Sequence, residues 1–193
     1  MVAPRHKLAL EDFLQLPEEK PALEYFNGMV TQKVAPRPRH SRLQTKLAEW
    51  VNRFAEPRQI AVAFAELRTT FGGTSFVPDV TVYRWERLPV DSNGELLEDC
   101  REAPDIAVEI VSPGQSITEL ANRCRWYVEH GVRIAVLLEP RRQVARDFRP
   151  GRAPRILRGG DLIDFDDVIP GFALSVGELF ALLRLPRRSG EAG

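Results

Sequence analysis

The sequence predicts a mixed α/β fold: a central sheet of parallel and antiparallel strands with helices on its faces. Three observations predict it. A strand, a helix and a second strand follow one another in "DIAVEIV…ITELANRCRWYVEHG…RIAVLLEP", a unit that demands parallel pairing through a right-handed crossover. The other strand-like runs are linked by hairpin-type turn signals, which demand antiparallel pairing. A long amphipathic stretch ahead of them supplies a helix to cover one face. With 193 residues the chain suffices for one domain with a real core and not for two. Residues 1–185 are therefore read as one domain and 186–193, "PRRSGEAG", as a disordered tail.

"LALEDFLQLP" reads as a short helix closed by Pro17. In "LEYFNGMVTQKV", Asn27-Gly28 between two apolar-rich arms is the strongest short hairpin signal. "PRHSRLQTKLAEWVNRFAEP" places Leu43, Leu47, Val51 and Phe54 on one helical face with charges opposite. "IAVAFAEL" is a strand, "RTTF" continues or pairs with it, Gly72-Gly73 turns the chain, and "SFVPDVTVYRW" reads as the next strand. Residues 86–104 are polar and turn-rich, a surface loop. A strand spans about Asp105 to Val111, and the following helix ends at Gly131, a C′ residue. "RIAVLLEP" is buried, "QVARDFRP" and "APRILRG" are antiparallel edge strands, and "SVGELFALL" is a terminal helix. There is no internal repeat.

Hydrophobic residues make up 44% and charged residues 28% of the chain, an ordinary globular composition that argues against disorder. Net charge is zero, so overall charge advertises no nucleic-acid partner. The basic residues are nearly all Arg, with only Lys7, Lys20, Lys33 and Lys46 as lysines. Arg is the better fork for phosphate, yet Arg richness also fits genome composition or a heat-adapted surface. Cys100 and Cys124 stand alone, without zinc-motif pairing or secreted-scaffold density. No apolar run is long enough for a bilayer and "MVAPRHKLAL" has no signal-peptide core. The expectation is a soluble cytoplasmic protein.

Three features bear on chemistry. Glu109 interrupts an otherwise apolar strand, and a charge taken out of water needs a partner, a metal or a shifted pKa. Asp79 follows Pro78 at the mouth of "FVPDVTV". Glu119, Arg123 and Tyr127 recur at i, i+4 and i+8, so they share a helix face. Each has a plain structural reading: a turn residue, a salt-bridge partner, a surface pair contributing a few tenths of a kcal/mol at about the level of exposed pairs. Together, two strand-borne carboxylates and a cation are what metal-assisted phosphodiester cleavage requires. Mg²⁺ takes oxygen ligands, one or two of them carboxylates. Carboxylates on neighbouring strands converge because paired strands lie about 4.8 Å apart.

"PDV" at 78–80, "DIAVEIVSPG" and "RCRWYVEHGV" followed by "RIAVLLEP" resemble the PD-(D/E)XK nuclease superfamily. More narrowly they resemble a widespread bacterial family of restriction-endonuclease-like proteins. The pattern runs roughly from Leu8 to Leu183 and includes "EYFNGMV", "PRH" and "DVIPGFALSVGELF". The resemblance implies a restriction-endonuclease-like core and a metal-dependent DNA endonuclease. It implies Asp79 and Glu109 as ligands of Mg²⁺ or Mn²⁺, with the Ile110 carbonyl as a third oxygen. Glu24 would orient water or metal, and His40 opens the long helix. DNA and a second copy of the chain, as a homodimer, are the implied partners; no small-molecule cofactor and no membrane are expected.

The chain departs from the pattern where a lysine should stand. Two residues after Glu109 is Val111, and the family's alternative slot, four residues before Tyr127, holds Arg123. Arg keeps the charge but does not exchange a proton near neutral pH. An active nuclease with Arg123 as electrostatic support, and a catalytically impaired relative that binds nucleic acid or protein, both fit. Pro104-Asp105 also spells "PD", but Asp105 lies four residues from Glu109 on one strand, about 13 Å away and too far to share a metal. Arg141, Arg142 and Arg146 open a basic run that reads either as a phosphate track or as a solubilising edge.

Overall fold

Asn27-Gly28 forms the turn its sequence predicts. Both residues have positive φ, 51° and 82°, the geometry that matches the twist of a two-residue hairpin. It joins β1 (Leu23–Phe26) to β2 (Met29–Gln32), with Glu24 opposite Thr31. The computed structural model describes residues 8–185; the expected tail at 186–193 lies outside them. A short helix, α1 (Leu10–Leu14), precedes the hairpin, and α2 (Pro38–Ala55) follows it. Pro38 occupies the first turn of α2, where its missing N–H costs nothing.

The remaining elements are β3 (Ala61–Ala65), β4 (Thr69–Phe71), β5 (Thr74–Phe76), β6 (Val80–Arg84), β7 (Ile106–Ile110), α3 (Ile117–Glu129), β8 (Ile134–Glu139), β9 (Val144–Phe148), β10 (Arg155–Arg158) and α4 (Val176–Ala181). They make two sheets. The larger has the order β10-β9-β8-β7-β6-β3, and the smaller β2-β1-β5-β4. In the larger sheet β7 and β8 pair in parallel, with Glu109 opposite Leu137, and all other pairs are antiparallel. The expected strand–helix–strand unit is therefore present, with α3 as its crossover. Ser116 caps α3 by accepting from the Glu119 N–H, and Gly131 follows the helix at φ 105°, a C′ conformation that favours glycine.

The stretch "SFVPDVTVYRW" is not one strand. It splits into β5 in the small sheet and β6 in the large one, broken at Val77-Pro78-Asp79. Pro78 has no N–H to give to a ladder, so the chain changes sheets there, and the break presents Asp79 at the mouth of β6.

Alternation along β7 divides the core. Ile106, Val108 and Ile110 pack with Leu43, Leu47 and Val51 of α2 and Leu179 and Phe180 of α4. On the other face Ala107 packs with Leu120, Ala121, Cys124 and Tyr127 of α3 and with Phe71 and Phe76 of the small sheet. Period-two alternation assigns Glu109 to this second face, beneath α3. Gly72, at φ 56°, lets the β4–β5 turn close against Trp126, whose ring a Cβ there would meet at 3.1 Å.

Candidate active site

Five separate parts of the chain converge on a cleft of about 500 Å³ lined by Glu24, Lys33, His40, Asp79, Glu109 and Arg123, among others. Each is positioned by a local rule. The hairpin register sets Glu24 opposite Thr31, and Lys33, two residues on, continues the ladder through its N–H to the Ala22 carbonyl at 2.8 Å. Glu24, Thr31 and Lys33 thus share one face of the hairpin. The first turns of α2 carry His40 and Gln44 on its buried side. Asp79 sits at the sheet-changing break, Glu109 on β7, and Arg123 and Tyr127 one turn apart on α3.

The three carboxylates are almost fully buried: Asp79 is 1% exposed, Glu109 2% and Glu24 3%. Asp79 Oδ2 accepts from the Ile110 N–H at 2.7 Å, and its main-chain carbonyl accepts from Gln44 at 3.0 Å. This locks the Asp79 carboxylate beside the Glu109 backbone. Glu109 Oε1 accepts from the Tyr127 hydroxyl at 2.7 Å. Glu24 Oε1 accepts from the Val77 N–H at 3.0 Å, and Arg123 forks onto both Glu24 oxygens at 2.9 and 2.8 Å. Its guanidinium also lies 3.7 Å from Glu109 and stacks over the Phe76 ring at 4.6 Å. Arg123 therefore bridges two acids, and is not the surface partner of Glu119 that helix spacing alone allows.

Lys33, which is not among the sequence-derived site residues, belongs to the same centre. Its ammonium lies 2.6 Å from Asp79 Oδ1, with the side chain only 10% exposed. A signal for it exists in the sequence: a two-residue Asn-Gly turn fixes the register, and that register puts Lys33 on the Glu24 face.

These contacts set opposite protonation tendencies. Burial pushes Asp79 up, but His40 and the Lys33 ammonium outweigh it and hold Asp79 below the ordinary aspartate value. Burial dominates at Glu109 and, with Asp79 and Glu24 opposing the pull of Arg123 and Lys33, raises it to about 7. Burial opposes the charge of Lys33, yet Asp79, Glu109 and Glu24 keep its pKa above the usual lysine value. Arg123 stays charged for the same reason, its acids overriding its burial.

Among the described residues, no group of three or more His, Cys, Asp or Glu forms a metal cage. The donor set fits a hard divalent cation nonetheless, because two carboxylates suffice when main-chain oxygen, water and substrate phosphate complete the shell. One orphan supports that fit. His40 Nδ1 is 3.0 Å from Ser112 Oγ, whereas Nε2, 3.2 Å from Asp79 Oδ1, has no aligned hydrogen-bond partner although it is buried. A buried imidazole nitrogen this close to Asp79 yet poorly aligned with it leaves polar capacity free at the edge of the two carboxylates.

Beyond the centre, a second cleft of about 540 Å³ shares His40, Gly114 and Gln115 with the first and is lined by Arg37, Arg39, Arg141 and Arg142. All four arginines are exposed. Arg146 points its charge into Glu139 at 2.6 Å, and Arg142 lies 3.6 Å from the same acid. Asp105 is fully buried and takes Arg84 at 3.0 Å and Arg87 at 2.8 Å; it is a structural ion-pair centre.

Residues 10–177 match the family described as Uma2, putative restriction endonuclease. The fold is similar to the crystal structure of a putative nuclease belonging to DUF820 from Anabaena variabilis. The two share 35% identity at a TM-score of 0.88, over 92% of this chain and 99% of that one. No curated protein matches the chain. Among the described residues no helix is long and apolar enough to cross a membrane.

Proposed function

The chain belongs to the Uma2 family of putative restriction endonucleases, and from that premise we propose that it is a metal-dependent DNA endonuclease hydrolysing phosphodiester bonds. Asp79 and Glu109 hold Mg²⁺ or Mn²⁺, with the Ile110 carbonyl as a further oxygen. The cation, when bound, supplies polarisation of the phosphate and an attacking water of lowered pKa. Tyr127 fixes the Glu109 carboxylate through its hydroxyl. Glu24 holds Arg123 by a two-point fork, leaving its outer edge to offset the charge that grows on phosphorus oxygens. The single observation that carries this reading is the lining of one cleft by two buried carboxylates, one on β7 and one at the break before β6, and a fixed guanidinium.

Arg37, Arg39, Arg141 and Arg142 give a nucleic-acid backbone a track that leads to His40 and the acids. A homodimer, as the family resemblance implies, would present a second such site to the opposite strand.

The test is cleavage of supercoiled plasmid with Mg²⁺ or Mn²⁺ by wild type, Asp79→Ala, Glu109→Ala and Arg123→Lys. Loss of cleavage in both acid variants supports the reading. Cleavage unaffected by either removes the proposed site. A wild type without activity that Arg123→Lys restores identifies the alternative, a nuclease fold impaired by the arginine in the lysine's place.

A further inference from the structure

The geometry points to Lys33 as a resident counter-ion that occupies the cation position at Asp79 and must leave it when a divalent metal binds. The inference rests on the metal-site reading above and adds a competitor to it. Asp79 Oδ1, the oxygen not engaged by the Ile110 N–H, already receives the Lys33 ammonium at 2.6 Å. A divalent ion bound to that carboxylate and an ammonium at that distance repel one another strongly, because both the carboxylate and the lysine side chain are largely buried.

The charges make the arrangement intelligible. Glu24, Asp79 and Glu109 bring three carboxylates together, and Arg123 reaches only Glu24 and Glu109. Asp79 would otherwise be a buried carboxylate with only neutral donors and His40 near it, so without metal Lys33 supplies its full positive charge. Lys33 also has somewhere to go. It stands just past the end of β2, an exposed edge strand, and Glu66, itself half-exposed, is already 3.8 Å from its ammonium. Four flexible carbons let the ammonium swing from Asp79 toward the cleft mouth or a substrate phosphate without moving the backbone. The protein thus carries its own stand-in for the metal, and metal binding releases a cation into the cleft.

The test is titration of metal-free protein with Mn²⁺ alone, followed by calorimetry, for wild type, Lys33→Met, Lys33→Arg and Asp79→Ala. Lys33→Met is expected to bind Mn²⁺ about tenfold or more tightly than wild type, because the competing charge is gone. Lys33→Arg is expected to remain near wild type. A merely structural role would leave affinity unchanged or weaken it. If Lys33→Met binds no more tightly while Asp79→Ala abolishes binding, the counter-ion role is overturned and the metal site stands. If Asp79→Ala binds as well as wild type, the metal-site reading itself fails.

A second measurement needs no variant. Acylation of lysine amines followed by mass spectrometry should label Lys33 faster once Mn²⁺ is added, with Lys46 as the internal reference. A labelling rate unmoved by saturating Mn²⁺ would contradict displacement.

Discussion

Glu109→Gln separates what the fold gains from what the site needs. Glu109 is 2% exposed and its pKa stands at about 7 against an ordinary 4.5, chiefly because burial penalises its charge. A carboxyl raised in the folded state contributes stability below its unfolded pKa and loses it as pH rises through the folded value. Each pKa step is worth about 1.4 kcal/mol, so ionising Glu109 costs the metal-free fold on the order of 3 kcal/mol. In the variant, the glutamine carbonyl oxygen would still accept from Tyr127, and Arg123 would stay forked on Glu24. Urea denaturation with chelator present should therefore show wild type losing that stability as pH rises from about 4.5 to about 7. Glu109→Gln should lack this loss and be the more stable protein at pH 8, while it loses metal binding. Parallel pH–stability curves for the two proteins would refute the reasoning.

Arg123→Ala strips Glu24 and Glu109 of their shared guanidinium. It should destabilise the fold by about 3 kcal/mol, at the low end for a broken buried pair because the arginine is partly exposed, measured by urea titration. Asp105→Asn breaks the ion pairs to Arg84 and Arg87 and should cost about 2–3 kcal/mol in the same assay. Cleavage per folded molecule should be unchanged there, which separates the structural acid from the site acids. Replacing Arg141 and Arg142 by Ala should weaken DNA binding across all sequences. It should also flatten the dependence of log K on log salt by about 0.9 for each phosphate no longer neutralised.

What the sequence revealed and concealed follows from the range of the interactions. The hairpin, the long helix and the strand–helix–strand unit rest on local signals, Asn27-Gly28, the Leu43–Leu47–Val51 stripe and the apolar runs around Glu109, and all three are present in the fold. The division into two sheets is not legible, because Val77-Pro78-Asp79 reads as a tolerable interruption of one strand until its two halves find different partners. The acids are legible as a charge inside an apolar strand and an Asp after a strand-breaking Pro. Of their cationic partners, Arg123 is legible as a site cation, whereas Lys33 and the acid that Arg123 grips are not. Arg123 has an i–4 acid in Glu119, and only tertiary packing across 99 residues gives it to Glu24 instead. Lys33 reads as one more polar residue of an exposed hairpin arm, since β2 itself is solvent-facing. Asp79, 46 residues away in sequence, is what makes it part of the centre.

We propose that Asp79 and Glu109 would hold a divalent cation with which this protein hydrolyses DNA. The most direct measurement is single-turnover cleavage of an end-labelled duplex across a Mn²⁺ titration, with folded Asp79→Asn as control and a chelator-treated arm. Cleavage by wild type is expected to rise with Mn²⁺ to saturation, to stop with chelator and to be absent in Asp79→Asn. Cleavage that persists in chelator, or that Asp79→Asn performs at the wild-type rate, would contradict the claim.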